Sequence, residues 1–350
     1  MSRESTQDQT IPRAYGDAVL TARLRVEVED FRVDEDLGFE PSGEGEQLFL
    51  QVEKRGANTA WVADQLAAWA GVARHAVSYA GLKDRHAVTR QAFTVHLPGR
   101  EAPPLETMAI DGVTVLSQTR HRRKLPRGAL RGNRFRLLLR DVAGDLDAIE
   151  ARLRAIRDGG VPNAFGEQRF GRGGDNVEAA RAMFAGKRVR RDQRSMLLSA
   201  VRSQLFNQVL WARVADGSWN TGLDGEIWML DGRHSVFGPE ALDDTLRGRA
   251  TEGDIHPTGP LWGRGELSSA DAAREREGVA LSGDDDLREG LEKAGLKQER
   301  RALRVGVRDM LWSWPADDQL LLDFALPAGS YATVLLAQLG EVVDVMRPAA

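Results

Sequence analysis

An α+β chain of two domains is what this sequence predicts, and three observations carry that expectation. Its 350 residues exceed what a single core ordinarily organises, and 42% of them are hydrophobic against 29% charged, the balance of a folded chain. Segments that alternate every second residue are mixed with segments of helical period in no regular order, which argues against a βαβ repeat. The pattern also changes after Gly159-Gly160-Val161-Pro162, where a boundary near residue 159 is expected.

The first half supplies most of the strands. Gln47 to Arg55 (QLFLQVEKR) alternates as a half-buried strand does, and a helix is expected after it. Asn58 and Thr59 offer N-caps to AWVADQLAAWA, in which Trp61, Val62, Leu66 and Trp69 recur at helical spacing until Gly71. Gln91 to Leu97, Val113 to Gln118 and Asn133 to Val142 read as further strands. Asp145 is placed to cap a helix whose Leu146, Ile149, Leu153 and Ile156 share one face.

Beyond residue 159 the strongest periodic feature is a helix from Gln193 to Val214. Asp216 to Asp285 is glycine-rich and charged, and strands cannot be placed there. RALRVGV, MLWSWP and QLLLDFAL then read as strands, and Ser330 is placed to cap a helix over TVLLAQLGEVV. Taken on these patterns alone, the two domains follow one another along the chain.

Composition excludes several functions. With no cysteine, the chain has no disulfide, thiolate nucleophile, iron-sulfur cluster or cysteine zinc site, and a reducing compartment is expected. The first twenty residues lack the basic start and apolar stretch of a secretion signal, and no apolar run approaches the ~18 residues of a membrane span, so a cytoplasmic location is expected. The six histidines, at 75, 86, 96, 121, 234 and 256, form no HExxH pair or other metal-ligand spacing. No phosphate loop or dinucleotide fingerprint is present, and neither metal nor cofactor is expected.

Net charge is −4, yet its distribution is uneven. Glu27 to Glu46 holds nine acids and one basic residue, Arg32. Gly112 to Arg140 holds no acid and nine cations, among them Arg122, Arg123, Lys124 and Arg127. Such a run binds phosphates through counterion release, forms a solvated face, or pairs with the acidic stretch; composition leaves all three open.

The segment Tyr79 to Gln91 concentrates chemistry. Gly81 permits close backbone approach, and the Asp84 carboxylate lies between Lys83 and Arg85, which suit phosphates on either side. In an extended backbone those two cations point away from Asp84, so its charge partner has to come from elsewhere. A plain surface turn is the competing reading.

GLKDRHAVTRQ within this segment closely resembles the G-x-K-D-[KR]-x-A-x-T-x-Q signature of the tRNA pseudouridine synthase D family. VPNAFGEQRFGRGGDN (Val161 to Asn176) resembles that family's second motif, and LPAGSYAT (Leu326 to Thr333) its C-terminal one. Asp30 to Glu46 and His121 to Phe135 are also similar to family segments, so the resemblance runs from about residue 22 to the C-terminus. It implies an α+β catalytic domain of pseudouridine-synthase type with a mixed, largely antiparallel sheet, at 1–158 and 306–350, interrupted by an inserted α/β TRUD domain at 159–305.

The resemblance further implies that Asp84 is the nucleophile, that Arg25 on an early strand pairs with it, and that Phe31, Asn133 and Tyr331 contact substrate. Phe135 is expected to stack on the base, and Lys83 and Arg85 to meet phosphates. Arg122, Arg123, Lys124 and Arg127 are expected along the RNA backbone. Ala164 departs from the family's usual Tyr, and Tyr331 stands where relatives carry Phe or Tyr.

The implied reaction isomerises uridine, expected at position 13 of tRNA, without net oxidation, so no cofactor is implied. Asp84 could attack C1′, attack C6 or assist proton removal from the sugar, and the residues do not choose. An extruded uridine needs aromatic and amide contacts, which Phe31, Phe135, Tyr331 and Asn133 supply in kind. The expected protein is a monomer acting on tRNA. Two other classes stay open: a non-catalytic RNA-binding or RNA-folding protein, and a metal-dependent phosphoryl-transfer enzyme with Asp84 as a ligand.

Overall fold

The structure is a computed structural model that describes residues 11–166, 169–171 and 174–346. Four positions of the motif Val161 to Asn176, namely Glu167, Gln168, Arg172 and Gly173, lie outside the described residues, as do the chain ends at 1–10 and 347–350.

The first part of the chain forms β1 (Leu20–Leu24), β2 (Phe31–Asp36), β3 (Gln47–Arg55), α1 (Thr59–Trp69), β4 (Val77–Tyr79), β5 (Val88–His96), β6 (Val113–His121), β7 (Gly132–Gly144) and α2 (Leu146–Gly159). The middle forms β8 (Val161–Pro162), α3 (Asp175–Phe184), α4 (Arg191–Ala215), β9 (Glu226–Leu230), β10 (Val236–Glu240), α5 (Asp244–Glu252), β11 (Ile255–Leu261), α6 (Asp271–Ala280), α7 (Asp285–Lys293), β12 (Glu299–Ala302) and β13 (Arg304–Val305). The last part forms β14 (Arg308–Ala316), β15 (Gln319–Pro327), α8 (Ala332–Leu339) and β16 (Gly340–Asp344).

Among the described residues, ten strands make one large sheet in the order β14-β15-β7-β2-β5-β3-β6, with β4 beside β5 and β1 joining β7 to β16. Only β1 with β16 and β2 with β5 run parallel, so the sheet is mixed and largely antiparallel, as expected. The reading of two consecutive domains is corrected by this topology. β15 pairs with β7 from Leu320↔Leu139 to Pro327↔Gly132, and β16 lies along β1 from Leu20↔Gly340 to Leu24↔Asp344. The chain therefore leaves the large sheet after β7 and returns to it with β14. Between these points lies a separate sheet, β10-β9-β11-β12. Sequence patterns cannot reveal such nesting, because each segment looks the same whichever strand it later pairs with.

Three local differences have physical reasons. β9, β10 and β11 occupy the stretch in which strands could not be placed; β11 reads IHPTGPL, whose Pro257, Gly259 and Pro260 break the usual strand signature. Asn58 is the N-cap of α1 but makes no side-chain capping bond, and the Thr59 hydroxyl is engaged with Lys83 and Gln91 instead of capping the helix. Ser330 is one residue too early to cap α8; Tyr331 takes the cap position. Asp145 caps α2 as expected, accepting from the Ala148 amide at 2.8 Å.

One core joins the parts of the chain. Phe31, Val33, Phe135 and Leu137 of the sheet pack with Leu153 and Ile156 of α2, Phe206 and Leu210 of α4, and Leu335 and Leu339 of α8.

Candidate active site

Strand register gathers polar side chains on one face of the large sheet. Asn133 lies opposite Leu326 and Glu35; Phe135 lies opposite Val33, which neighbours Thr89; Thr89 lies opposite Lys54. Directly opposed residues share a face, so Asn133, Glu35, Thr89 and Lys54 project to the same side as Phe31 and Phe135. Gln91, two residues beyond Thr89, joins them. Gly132 is required just before Asn133: a Cβ there would lie 2.4 Å from the Leu326 carbonyl oxygen.

These buried polar groups hold the loop that bears Asp84. The Thr59 hydroxyl accepts from the Lys83 amide at 2.9 Å and donates to Gln91 Oε1 at 2.9 Å, while Gln91 Nε2 donates to the Gly81 carbonyl at 3.2 Å. Lys54 Nζ donates to the main-chain carbonyls of Asp84 at 2.7 Å and Ala57 at 2.8 Å. The Lys83 ammonium pairs with Glu35, which is fully buried and also accepts from the Ala92 amide. Few conformations satisfy all of these bonds at once, so the loop is a preorganised element rather than a free surface turn.

At the loop's centre, Arg25 Nη2 donates to Asp84 Oδ2 at 2.8 Å, and the His86 amide donates to Oδ1 at 3.2 Å. The Asp84 side chain is 14% exposed, and that of Arg25 is 2% exposed. Arg25 follows β1 directly in a left-handed conformation (φ 57°), a costly geometry for a residue with a Cβ, and the turn delivers its guanidinium to the loop. The guanidinium carbon lies 3.9 Å from the centroid of the Phe31 ring, and its Nη1 pairs with Asp344 at the end of β16. The result is a carboxylate with one side bound to a fixed cation and little water around it.

Burial pushes the Lys54 ammonium down to about 8, and the nearby Asp84 carboxylate opposes that shift. Lys54 belongs to no motif. Its signal lies in β3, where it keeps the apolar phase of Leu48, Leu50 and Val52 and so points inward. Gln91 closes the GLKDRHAVTRQ motif, whereas Glu35 carries no comparable signal of its own. Asp344 carries none, since it reaches Arg25 only because β16 pairs with β1.

The other expected site residues fall in different places. Phe31 is buried and supports Arg25 through its ring face, with its edge contact to Phe135 at 6.3 Å between centroids. Phe135 is buried and stacks on Phe324 at 5.4 Å, on the face of β7 that also carries Asn133. Asn133 is half-buried, and its Oδ1 has no hydrogen-bond partner among the described residues. Tyr331 is half-buried, with its hydroxyl 3.5 Å from Arg169 Nη2. The paired orientation expected for Lys83 and Arg85 is corrected. The segment bends instead of running extended, which buries Lys83 against Glu35 and leaves only Arg85 exposed. Ala164 is buried in the principal core.

Much of the basic run is matched to the acidic stretch. Arg122 pairs with Glu44, Arg131 with Asp36, and Arg140 with Asp30. Lys124 donates to the His75 carbonyl, and Arg127 lies over the Tyr79 ring at 4.3 Å. Arg122, Arg123, Lys124 and Arg127 all remain on the surface. Lys187, Arg188, Arg190, Arg191 and Arg194 form a second exposed basic group, with Asp192 as the single acid from 179 to 215. No helix among the described residues is long and apolar enough to cross a membrane.

Comparison with known proteins places the chain in a family. The family model described as tRNA pseudouridine synthase D matches residues 15–187 and 175–339. A protein named tRNA pseudouridine synthase D from Xanthomonas campestris pv. campestris (strain B100) is 56% identical, over 97% of this chain and 96% of that one. One of the same name from Methylococcus capsulatus is 49% identical, over 95% and 94%. A solved Methanosarcina mazei structure, titled as a putative tRNA pseudouridine synthase D, superposes with a TM-score of 0.73 over 94% of this chain and 95% of that one; at 22% identity it speaks for the fold. With that fold, an Arg25-bound Asp84 on a braced loop, and half-identical relatives along nearly its whole length, the chain belongs to the tRNA pseudouridine synthase D family.

Proposed function

We propose that this protein isomerises uridine to pseudouridine in tRNA, at position 13, with Asp84 as the nucleophile and Arg25 as its charge partner. The observation that carries the reading is the Asp84 carboxylate, braced through its own backbone by Lys54 and held through Oδ2 by Arg25 at 2.8 Å. The named activity of relatives about half identical to this chain supports it.

The reaction breaks the bond from C1′ to N1, joins C1′ to C5, releases the C5 hydrogen as a proton and returns a proton to N1. No electrons are gained or lost. Attack at C1′, attack at C6 and proton removal from the sugar all use the carboxylate, and the Arg25 guanidinium fixes its orientation through Oδ2. Hydrogen-bonding groups that are already in place need no reorganisation as charge develops. Asn133 presents an amide whose donor and acceptor complement the imide edge of uracil, and Tyr331 offers a ring at the rim.

We assign the catalytic part to 1–158 with 306–350 and the inserted part to 159–305, working as a monomer in the cytoplasm. Exposed cations at Arg85, Arg122, Arg123, Lys124 and Arg127 are assigned to the RNA backbone. A metal-ligating Asp84 is the weaker reading, because the guanidinium of Arg25 occupies the side of the carboxylate where a cation would bind.

Tritium release from C5-labelled uridine in tRNA tests the assignment. Wild-type protein is expected to release tritium, and Asp84→Asn to lose at least about 10³-fold in rate while still binding tRNA. An Asp84→Asn protein as active as wild type rejects Asp84 as the nucleophile. A wild type that binds tRNA without release makes the protein a non-catalytic RNA binder.

A further inference from the structure

Two arginines beside Tyr331 are arranged unlike the cations around Asp84. Arg169 Nη1 donates to the Ser199 hydroxyl at 3.2 Å, and its Nη2 lies 3.5 Å from the Tyr331 hydroxyl. Arg301 donates to Asn163 Oδ1 and, at 3.1 Å, to the carbonyl of Gly329, two residues before Tyr331. Both guanidiniums sit over one ring, Phe165, at 5.5 Å and 4.2 Å from its centroid. Every one of these acceptors is neutral, and no carboxylate among the described residues pairs with either arginine.

Two like charges on one ring, half out of water, repel each other. Burial lowers the Arg301 pKa to about 10, and Arg169 adds to the fall. Elsewhere, buried arginines that reach across the fold have acids: Arg25 has Asp84 and Asp344, Arg213 has Glu226, and Arg300 has Glu277. Arg152 and Arg304 also lack a paired acid: Arg152 donates to the main-chain carbonyls of Gln338 and Asp17, with burial lowering its pKa and Arg13 near enough to lower it further, and Arg304 donates to two carbonyls and a histidine nitrogen. Arg169 and Arg301 are set apart by sharing one aromatic ring beside Tyr331, with guanidinium donors not used in these contacts.

Their position points to RNA. The turn bearing Tyr331 follows β15 at the end where Leu326 pairs with Asn133; Asn133 pairs with Glu35, and Glu35 holds Lys83 beside Asp84. We propose that Arg169 and Arg301 form a phosphodiester-binding subsite beside Tyr331, which holds the backbone of the RNA strand carrying the target uridine. A phosphodiester brings a negative charge to these two cations, and its two free oxygens suit the fork of a guanidinium. Bound there, it fixes the strand while the nucleotide turns toward Asp84. The inference rests on the tRNA reading and adds to it the place where the backbone is gripped.

The test neutralises the charge on the RNA, leaving the protein intact. Single methylphosphonates are placed at each phosphate within two nucleotides of the target uridine, and rates are measured for wild type, Arg169→Gln and Arg301→Gln. For wild type, one position is expected to raise KM about tenfold or more, in keeping with the loss of a charge-assisted hydrogen bond. Arg169→Gln should raise KM on native tRNA to a similar extent and lose its sensitivity at that same position. Two results overturn the proposal: wild type indifferent at every position, or Arg169→Gln and Arg301→Gln both retaining the full methylphosphonate penalty. In the second case the arginines only pack against Phe165, and a lower melting temperature is their sole effect. Failure of the functional reading looks different, since wild type would then bind native tRNA and form no pseudouridine in it.

Discussion

The cations near Asp84 and those near Tyr331 show two ways of placing positive charge in one protein. Arg25 lies between Asp84 and Asp344, and Lys83 faces Glu35, so each charge meets its opposite within the fold. Arg169 and Arg301 meet hydroxyls, an amide and a carbonyl. The first arrangement is electrostatically closed and can hold a reactive group in one geometry without a ligand. The second is open among the described residues, where no carboxylate pairs with either guanidinium. Preorganised chemistry belongs to the closed cluster and recognition of a polyanion to the open one.

Breaking the closed cluster should have the larger effect. Arg25→Leu leaves two carboxylates without the guanidinium between them, and its loss from a buried position also removes the cover on Phe31. A fall in kcat of about 100-fold or more is expected, equivalent to about 3 kcal/mol of barrier, together with a lower melting temperature. Arg25→Lys should recover part of the rate. If Arg25→Leu changes only KM, the cluster binds substrate and does not prepare the carboxylate, and the contrast between the two clusters disappears.

Lys54 sharpens the same comparison through pH. Its ammonium is pushed below the 10.5 of an ordinary lysine to about 8, so it is charged below that pH and neutral above it. A charged Lys54 braces the Asp84 carbonyl; the neutral amine braces it less strongly. Activity is therefore expected to fall as pH rises through about 8, and Lys54→Gln should be slower at neutral pH, by about tenfold, and lack that alkaline limb. The sign for stability is opposite. A base with a depressed folded pKa destabilises the fold while both states are charged, and the penalty is relieved as pH rises from about 8 toward the unfolded value. An alkaline limb that persists in Lys54→Gln assigns it to another group.

How much of this was legible in the sequence depends on how far apart the partners lie along the chain. Asp84 and Arg25 came from motif resemblance, and β3, β5, β7 and β15 came from alternation, because both signals are contained within a few residues. The setting of Phe135 was legible only in part. The motif marks it as important, while only the alternation of β7 and the presence of Phe324 on the next strand reveal that it faces the core. Lys54 was missed, although its phase on β3 marks it as inward-facing. Asp344 was not legible, since nothing near it in the sequence distinguishes it from a surface acid until β16 pairs with β1 at the far end of the chain. The nesting of the chain was expected from the family resemblance and not from the local patterns, and the Arg169 and Arg301 pair was hidden likewise from those patterns.

The smallest expected effect carries the contrast out to the surface. Between residues 120 and 140, Arg122, Arg131 and Arg140 are already paired with Glu44, Asp36 and Asp30, whereas Lys187 to Arg194 has the single acid Asp192 among five cations. Only a cation that gathers phosphates in the complex releases counterions there, and one that must first leave an acid contributes less. Replacing Arg188, Arg190 and Arg191 together by Ala should flatten the log-log salt dependence of tRNA affinity by roughly 0.7 to 0.9 for each phosphate no longer neutralised. Replacing Arg122, Arg123 and Lys124 should flatten it by about one phosphate's share, mainly through Arg123. Filter binding across a salt series reads both slopes. If the two triple variants flatten the slope equally, internal pairing does not decide which arginines meet RNA, and the basic run near β6 and β7 regains equal standing in gripping the RNA backbone.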